Sequence, residues 1–218
     1  MISKQINDII DDISRLNNTL YALGSTDIQR FPENYEILST DAALRSEKIT
    51  CRLRELIYSS TLIKKEEYLV SAGAAHGIEI KYENGITEIT LPSLLPKRKQ
   101  RQTSEFLYEP FYYTLREYAK KNPLPKYRQC VVCFSHIYNR DLPLRRIMDY
   151  DNIELKRILD IISTFIMVDD GGLLCDAYNT TELSDKDCTC VSIMDKDKFT
   201  GWLAERKKDM DSVEDFGG

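Results

Sequence analysis

Residues 78–91 read Ile-Glu-Ile-Lys-Tyr-Glu-Asn-Gly-Ile-Thr-Glu-Ile-Thr-Leu, and this stretch decides the fold. Apolar and polar residues alternate on both sides of Asn84-Gly85, which is the period of a half-buried β-strand. An Asn-Gly pair between two alternating runs is the strongest local signal for a β-hairpin, because both turn positions require a positive φ. The sequence therefore predicts two antiparallel strands, 78–82 and 86–91.

The residues before this hairpin have the periodicity of helices. Apolar side chains recur every three or four residues over 1–23, and Gly24 can end that helix. A connection containing Pro and Asn follows, and a second helical stretch is predicted from about Thr40 to about Ser71. We expect residues 1–75 to form a helical arm, either an αα-hairpin or a dimerising coiled coil. Its expected role is structural, or that of a surface for a protein partner.

The residues after the hairpin alternate between helical and strand patterns. Helices are predicted at 106–121, 152–165 and 196–208, and strands at 130–138, 173–181 and 188–193. From the hairpin onward the order is ββαβαββα, which predicts an α+β (α/β-like) fold with a small mixed sheet after the N-terminal αα-hairpin. We expect a domain at 76–208, followed by an acidic flexible tail at 209–218.

Charge is distributed unevenly along the chain. The 218 residues carry 30 Lys+Arg and 35 Asp+Glu, a formal net charge of −5, which by itself argues weakly against a nucleic-acid binder. Residues 93–147, however, hold 12 basic and 4 acidic residues, or +8, which leaves −13 for the rest. The basic run Lys97-Arg-Lys-Gln-Arg101 lies within that segment. A polyphosphate backbone is the natural partner for such a segment.

Six cysteines without an apolar leader predict reduced thiols and a cytoplasmic protein. The most apolar run, Ile161–Val168, is too short for a membrane span, so no membrane partner is expected. The Cys130-x-x-Cys133 and Cys188-x-Cys190 spacings are similar to zinc half-sites. Both pairs lie in predicted strands, where Cys130 and Cys133 would face opposite sides, so buried structural thiols are the preferred interpretation.

One acidic cluster is dense enough to suggest chemistry. Its members are Asp149-Tyr-Asp151-Asn152, then Lys156 and Asp160, then Asp169-Asp170. Carboxylates that converge on one point repel each other unless a cation lies among them, and Mg²⁺ accepts such ligands together with water and phosphate oxygens. Asp pairs are also common as helix caps and turn residues, and Asp-Asp-Gly-Gly is by itself a turn signal. The spacing alone leaves both interpretations open.

The stretch Arg145-Arg-Ile-Met-Asp149-Tyr-Asp151-Asn152-x-x-x-Lys156-x-x-x-Asp160, followed by Val168-Asp169-Asp170, resembles the signature of RusA-type Holliday junction resolvases. The resemblance covers about residues 77–195 and includes the order of the surrounding strands and helices. It implies a Mg²⁺-dependent endonuclease of DNA recombination and repair, from a phage or mobile element, that acts as a homodimer on branched DNA.

Carried over residue by residue, the resemblance implies three Mg²⁺ ligands, Asp149, Asp151 and Asp170. It makes Lys156 the catalytic lysine and Asp169 an adjacent ligand or base. The expected DNA-binding residues are Lys97, Arg98, Lys99, Arg101, Arg145 and Arg146. Two alternatives remain: a RusA-like fold without catalysis that binds DNA or protein, and an unrelated interaction protein with acidic turns.

Overall fold

A computed structural model describes residues 2–58, 63–97 and 105–214. The chain divides into two compact units, Met1–Lys65 and Glu66–Gly218. The unit boundary therefore falls ten residues before the division predicted after residue 75. Among the described helices, none combines the length and the apolar character that crossing a membrane demands.

The first unit is the predicted helical hairpin, formed by α1 (Ile2–Gly24) and α2 (Pro32–Tyr58). Polar contacts join the two helices: Asp12 pairs with Lys48 at 3.0 Å and with Arg52 at 2.5 Å. The helix α2 begins at Pro32 rather than near Thr40. A proline is favourable in the first turn of a helix, because its fixed φ suits the helix and its missing N–H would have no partner there.

The second unit holds the sheet and the remaining helices. In chain order these are α3 (Lys65–His76), β1 (Glu79–Glu83), β2 (Ile86–Leu91), α4 (Glu105–Lys121), β3 (Cys130–Asn139), α5 (Lys156–Ile166), β4 (Cys175–Ser184), β5 (Cys188–Asp195) and α6 (Phe199–Glu214). From β1 onward this is the predicted order ββαβαββα, so the α+β prediction is confirmed.

The five strands form one mixed sheet in the order β1-β2-β5-β3-β4. The neighbours β3 and β4 are parallel, and the other neighbouring strands are antiparallel. The predicted hairpin is present: Asn84 and Gly85 have φ values of 54° and 77°, as a turn of that type requires. Because β3 and β4 are parallel, the chain crosses one face of the sheet between them, and α5 lies in that crossover.

Helices cover both faces of the sheet. The larger core joins α4 and α5 to one face, with Phe111, Leu115, Ile158 and Ile162 all fully buried. On the other face, Phe199 and Trp202 of α6 pack against Val131, Cys133 and Met194. The strand β3 is consequently buried on both sides, which explains its continuous apolar run.

Three further boundaries differ from the sequence prediction. The second predicted helix is two helices, because α2 ends at Tyr58 and α3 begins at Lys65. Residues 209–214, predicted to be a flexible tail, belong to α6. The helix α5 begins at Lys156 rather than Asn152, because Ile153 forms an isolated β-bridge with Lys97 and its side chain enters the core.

Candidate functional site

The acidic loop, defined here as residues 149–152, lies in the connection between β3 and α5. Asp149 precedes a short 3₁₀ turn over Tyr150–Asn152, and its carbonyl accepts a hydrogen bond from the Asn152 N–H at 3.0 Å. The side chains of Asp149 and Asp151 are exposed, and that of Asp149 does not cap the turn. Asp151, expected near the start of the helix, instead lies inside this turn. Both carboxylates therefore face solvent, while a hydrogen bond within the turn holds the backbone that carries them.

Neighbouring side chains fix the acidic loop to the sheet. The Tyr150 hydroxyl lies 3.0 Å from Thr181 Oγ1 on β4, and its ring stacks on His136 of β3 with centroids 5.6 Å apart. The Met148 N–H donates to the hydroxyl of Tyr138 at 3.2 Å. Hydrogen bonds thus hold Met148 and Tyr150, the residues on either side of Asp149, while the Asp149 carboxylate remains exposed to a ligand.

His136 is the buried residue beneath this loop, and the sequence offered no role for it. Its side chain is 1% exposed, and Nε2 lies 3.2 Å from Asn179 Oδ1. Within the described part of the chain, Nδ1 is buried without a hydrogen-bond partner. Burial lowers the pKa of His136 below its ordinary value, and the Asn179 contact opposes that shift. The imidazole of His136 is therefore neutral at pH 7, and it stacks in that form on the Tyr150 ring.

This burial predicts a pH-dependent stability. Between its folded pKa and 6.5, the unfolded chain binds more protons at His136 than the folded chain does. The contribution of His136 to stability is therefore complete above pH 6.5 and is lost as the pH falls below that value. We expect the melting temperature to fall from pH 7.5 to 5.5, and the H136Q variant to show a smaller fall in the same buffers. Equal falls for variant and wild type would contradict this assignment.

The predicted catalytic lysine is the first residue of α5. Lys156 Nζ donates to Asp160 Oδ1 at 2.8 Å, and this hydrogen bond is the largest cause of the raised pKa of Lys156. The charges of Asp160 and Asp170 raise that pKa further. Lys156 is exposed and remains charged at neutral pH. The structure thus places Lys156 close enough to Asp160 and Asp170 for both carboxylates to act on its charge.

The acidic loop and Asp170 lie near different parts of β4. Tyr150 reaches Thr181, whereas the charge of Asp170 acts on Cys175. Six residues separate those two positions, or about 20 Å along a strand. In the described ranges, no three His, Cys, Asp or Glu side chains lie close enough to hold a metal ion. Of the predicted ligands, Asp149 and Asp151 share one loop and Asp170 lies near Lys156.

The basic run begins beside the acidic loop. Lys97 is exposed and forms its β-bridge with Ile153, and the Glu154 N–H donates to the Pro96 carbonyl at 2.9 Å. This proximity joins two segments more than fifty residues apart in the sequence. The remaining predicted DNA-binding residues of the run, Arg98, Lys99 and Arg101, lie outside the described residues.

The two arginines before the acidic loop differ in their surroundings. Arg145 is exposed on a short 3₁₀ turn. Arg146 forms an ion pair with Asp187, whose other carboxylate oxygen accepts the Asn139 N–H at 2.7 Å. Arg146 therefore ties the start of the crossover to the turn between β4 and β5, whereas Arg145 remains available to a ligand.

The cysteines lie mostly inside the second unit. Cys130 belongs to the core on the α5 side of the sheet and Cys133 to the core on the α6 side, as the strand prediction required. Burial raises the pKa of Cys133 to about 12 and that of Cys188 to about 11. Both thiols are therefore protonated at neutral pH.

Comparison with known proteins gives a family without an assigned activity. No curated protein matches the sequence. One family model matches residues 1–217, a span that includes the helical hairpin, the sheet and the acidic loop. The chain therefore belongs to DUF6100, a family of unknown function.

Proposed function

We propose that this protein is a Mg²⁺-dependent, structure-specific endodeoxyribonuclease that hydrolyses phosphodiesters at branched DNA such as Holliday junctions. The RusA-like pattern from Arg145 to Asp170 supports this activity.

One observation carries the proposal: the basic run starts next to the acidic loop. Exposed Lys97 bridges Ile153, the residue that directly follows Asn152. A DNA strand neutralised by the basic run would pass close to the carboxylates of Asp149 and Asp151, which the fold leaves exposed. This bridge brings the start of the basic run next to the acidic loop.

Each residue has a stated task in this proposal. Asp149, Asp151 and Asp170 provide carboxylate ligands, and Asp169 is an adjacent ligand or base. Bound Mg²⁺ supplies Lewis-acid activation of a phosphate oxygen and a water of lowered pKa. Lys156 provides a fixed positive charge for the scissile phosphate, and Arg145 a further contact to the backbone of the DNA.

The proposal requires that the acidic loop and Asp170 approach each other when DNA binds. Mg²⁺ commonly uses only one or two protein carboxylates and completes its shell with water and phosphate oxygens. The DNA phosphate would then complete the site.

A second candidate is a RusA-like module that binds DNA or protein without cleaving it. Two observations favour it. The described residues contain no three-ligand group, and Lys156 is engaged by Asp160 at 2.8 Å. The basic run beside the acidic loop suits binding as well as it suits cleavage.

The test uses the full chain with a fluorescent four-way junction and a linear duplex of the same sequence, in Mg²⁺ or in EDTA. Cleavage of the junction only in Mg²⁺ supports the nuclease. If the junction is bound but is not cleaved at any Mg²⁺ concentration tested, the nuclease proposal is wrong and the second candidate is supported. The absence of both binding and cleavage overturns the nuclease and the DNA-binding form of the second candidate.

The basic run gives a separate prediction. We expect the fourfold variant K97Q/R98Q/K99Q/R101Q to bind all DNA sequences more weakly and to show a flatter dependence of affinity on salt. Each lost phosphate contact should reduce the slope of log K against log[salt] by about 0.9. The matched control K4Q/K64Q/K121Q/K186Q removes the same charge from exposed positions elsewhere. An unchanged slope in the first variant would place the run outside the DNA footprint.

A further inference from the structure

The helix α1 exposes a regular apolar stripe. Ile6, Ile10, Ile13 and Leu20 are 43%, 52%, 47% and 48% exposed. With Asn17, these residues follow each other at spacings of four, three, four and three. On a helix with 100° per residue they fall within an arc of about 80°. We call these five residues the α1 seam.

The seam is distinct from the side of α1 that contacts α2. That side carries the polar pairs of the hairpin: Asp12 pairs with Lys48 and Arg52, and Thr19 Oγ1 lies 2.9 Å from Asp41 Oδ2. Ile9, one position before Ile10, is only 5% exposed. The hairpin is therefore formed without the seam, and the seam side chains remain at the surface.

Charge is excluded from the seam side of α1. The helix has five charged residues, Lys4, Asp8, Asp11, Asp12 and Arg15. All five fall within one arc of about 100°, at least about 80° away from the seam. The positions beside the seam are uncharged as well, namely Asn7, Ser14 and Tyr21. A second copy of this surface can approach it without repulsion between like charges.

The seam residues follow the a and d positions of a coiled-coil heptad. With Ile6, Ile13 and Leu20 at d positions, Ile10 and Asn17 fall at a positions. A single Asn at an a position favours a parallel dimer in one register, because the two Asn side chains pair across the axis. A purely apolar partner would leave Asn17 without a hydrogen-bonding group opposite it, whereas a second copy of the α1 seam supplies one.

We infer that two copies of this chain associate through the α1 seam, as a parallel pair of α1 helices related by a two-fold axis. The four apolar seam side chains together with Tyr21, which is 74% exposed, offer roughly 500 Å² per copy against the ~800 Å² of a standard interface. The uncharged Asn and Ser side chains around them add to that area. This association does not depend on the nuclease proposal, since no residue of the acidic loop or the basic run takes part.

Sedimentation velocity of the full chain from 2 to 100 μM tests the association. We expect dimers for the wild type and monomers for I13K, with at least a tenfold rise in the dissociation constant. Ile13 is half exposed, so I13K should retain the far-ultraviolet circular dichroism of the wild type. The matched control L44K changes a residue of α2 that is 58% exposed and lies outside the seam, and it should remain dimeric. A monomeric wild type at 100 μM, or an I13K variant that still dimerises, overturns the inference.

A second measurement tests orientation and register. In the C51S background, which removes the exposed native thiol, N17C places a cysteine at the centre of the seam. Copper-phenanthroline as oxidant should take two electrons and two protons from the facing thiols and give a disulfide-linked dimer. Position 17 meets its own copy in a parallel, in-register pair of helices, so the two thiols can then form a disulfide. Failure of N17C to cross-link while the wild type is dimeric overturns the parallel arrangement.

Discussion

We expect the double substitution D149N/D151N to reduce Mg²⁺-dependent cleavage of a four-way junction by roughly 10²-fold or more, the scale on which loss of an electrostatic stabiliser acts. Asparagine keeps the size of the side chain and removes the negative charge that a hard cation requires. The fold should tolerate the change, because both carboxylates are exposed and the loop is held by Tyr150 and Met148 instead.

The matched control is D141N, an exposed aspartate in the same connection between β3 and α5. We expect D141N to cleave like the wild type. Junction affinity should be measured for both variants in EDTA, where the double variant should bind at least as well as the wild type because two negative charges beside the DNA are gone. Unchanged cleavage by D149N/D151N would remove the acidic loop from the chemistry.

The second large effect concerns stability. We expect I162A to lower the free energy of unfolding of the second unit by about 2–5 kcal/mol, the range for removing a large buried aliphatic side chain. Ile162 lies in the middle of α5 and is completely buried in the larger core. A loss of this size is a large share of the roughly 5–15 kcal/mol that stabilises a typical domain.

Trp202, the single tryptophan, lies on α6 in the second unit, so urea titrations followed by its fluorescence report on that unit. The matched control is L173A, in which a leucine that is 91% exposed is shortened in the same way. Its effect should stay within about 0.5 kcal/mol. Similar midpoints for I162A and L173A would contradict the described packing of α5.

The sequence predicted those parts of the fold that local chemistry determines. The turn at Asn84-Gly85 needs positive φ at both positions, and few residue pairs supply it, so the turn of the hairpin could be located to the residue. The strand β3 could be recognised from its apolar run, because both of its faces are buried. Helix starts were less certain: Pro32 was interpreted as part of a connection although it begins α2.

The surroundings of the candidate site could not be predicted, because they depend on contacts distant in sequence. The start of α5 moved to Lys156 because Ile153 pairs with Lys97, a bridge that no local pattern encodes. The stack of His136 on Tyr150 likewise requires knowing that the crossover returns over β3. Neither ring belongs to a motif, so no spacing rule singles them out.

The anchor of the acidic loop has a consequence for biosynthesis. The loop rests on Tyr150, and Tyr150 is held by Thr181, thirty-one residues further along the chain. A nascent chain that has not yet emerged from the ribosome as far as β4 lacks this support, although its carboxylates are already synthesised. The acidic loop thus acquires its fixed form only when most of the polypeptide has been made.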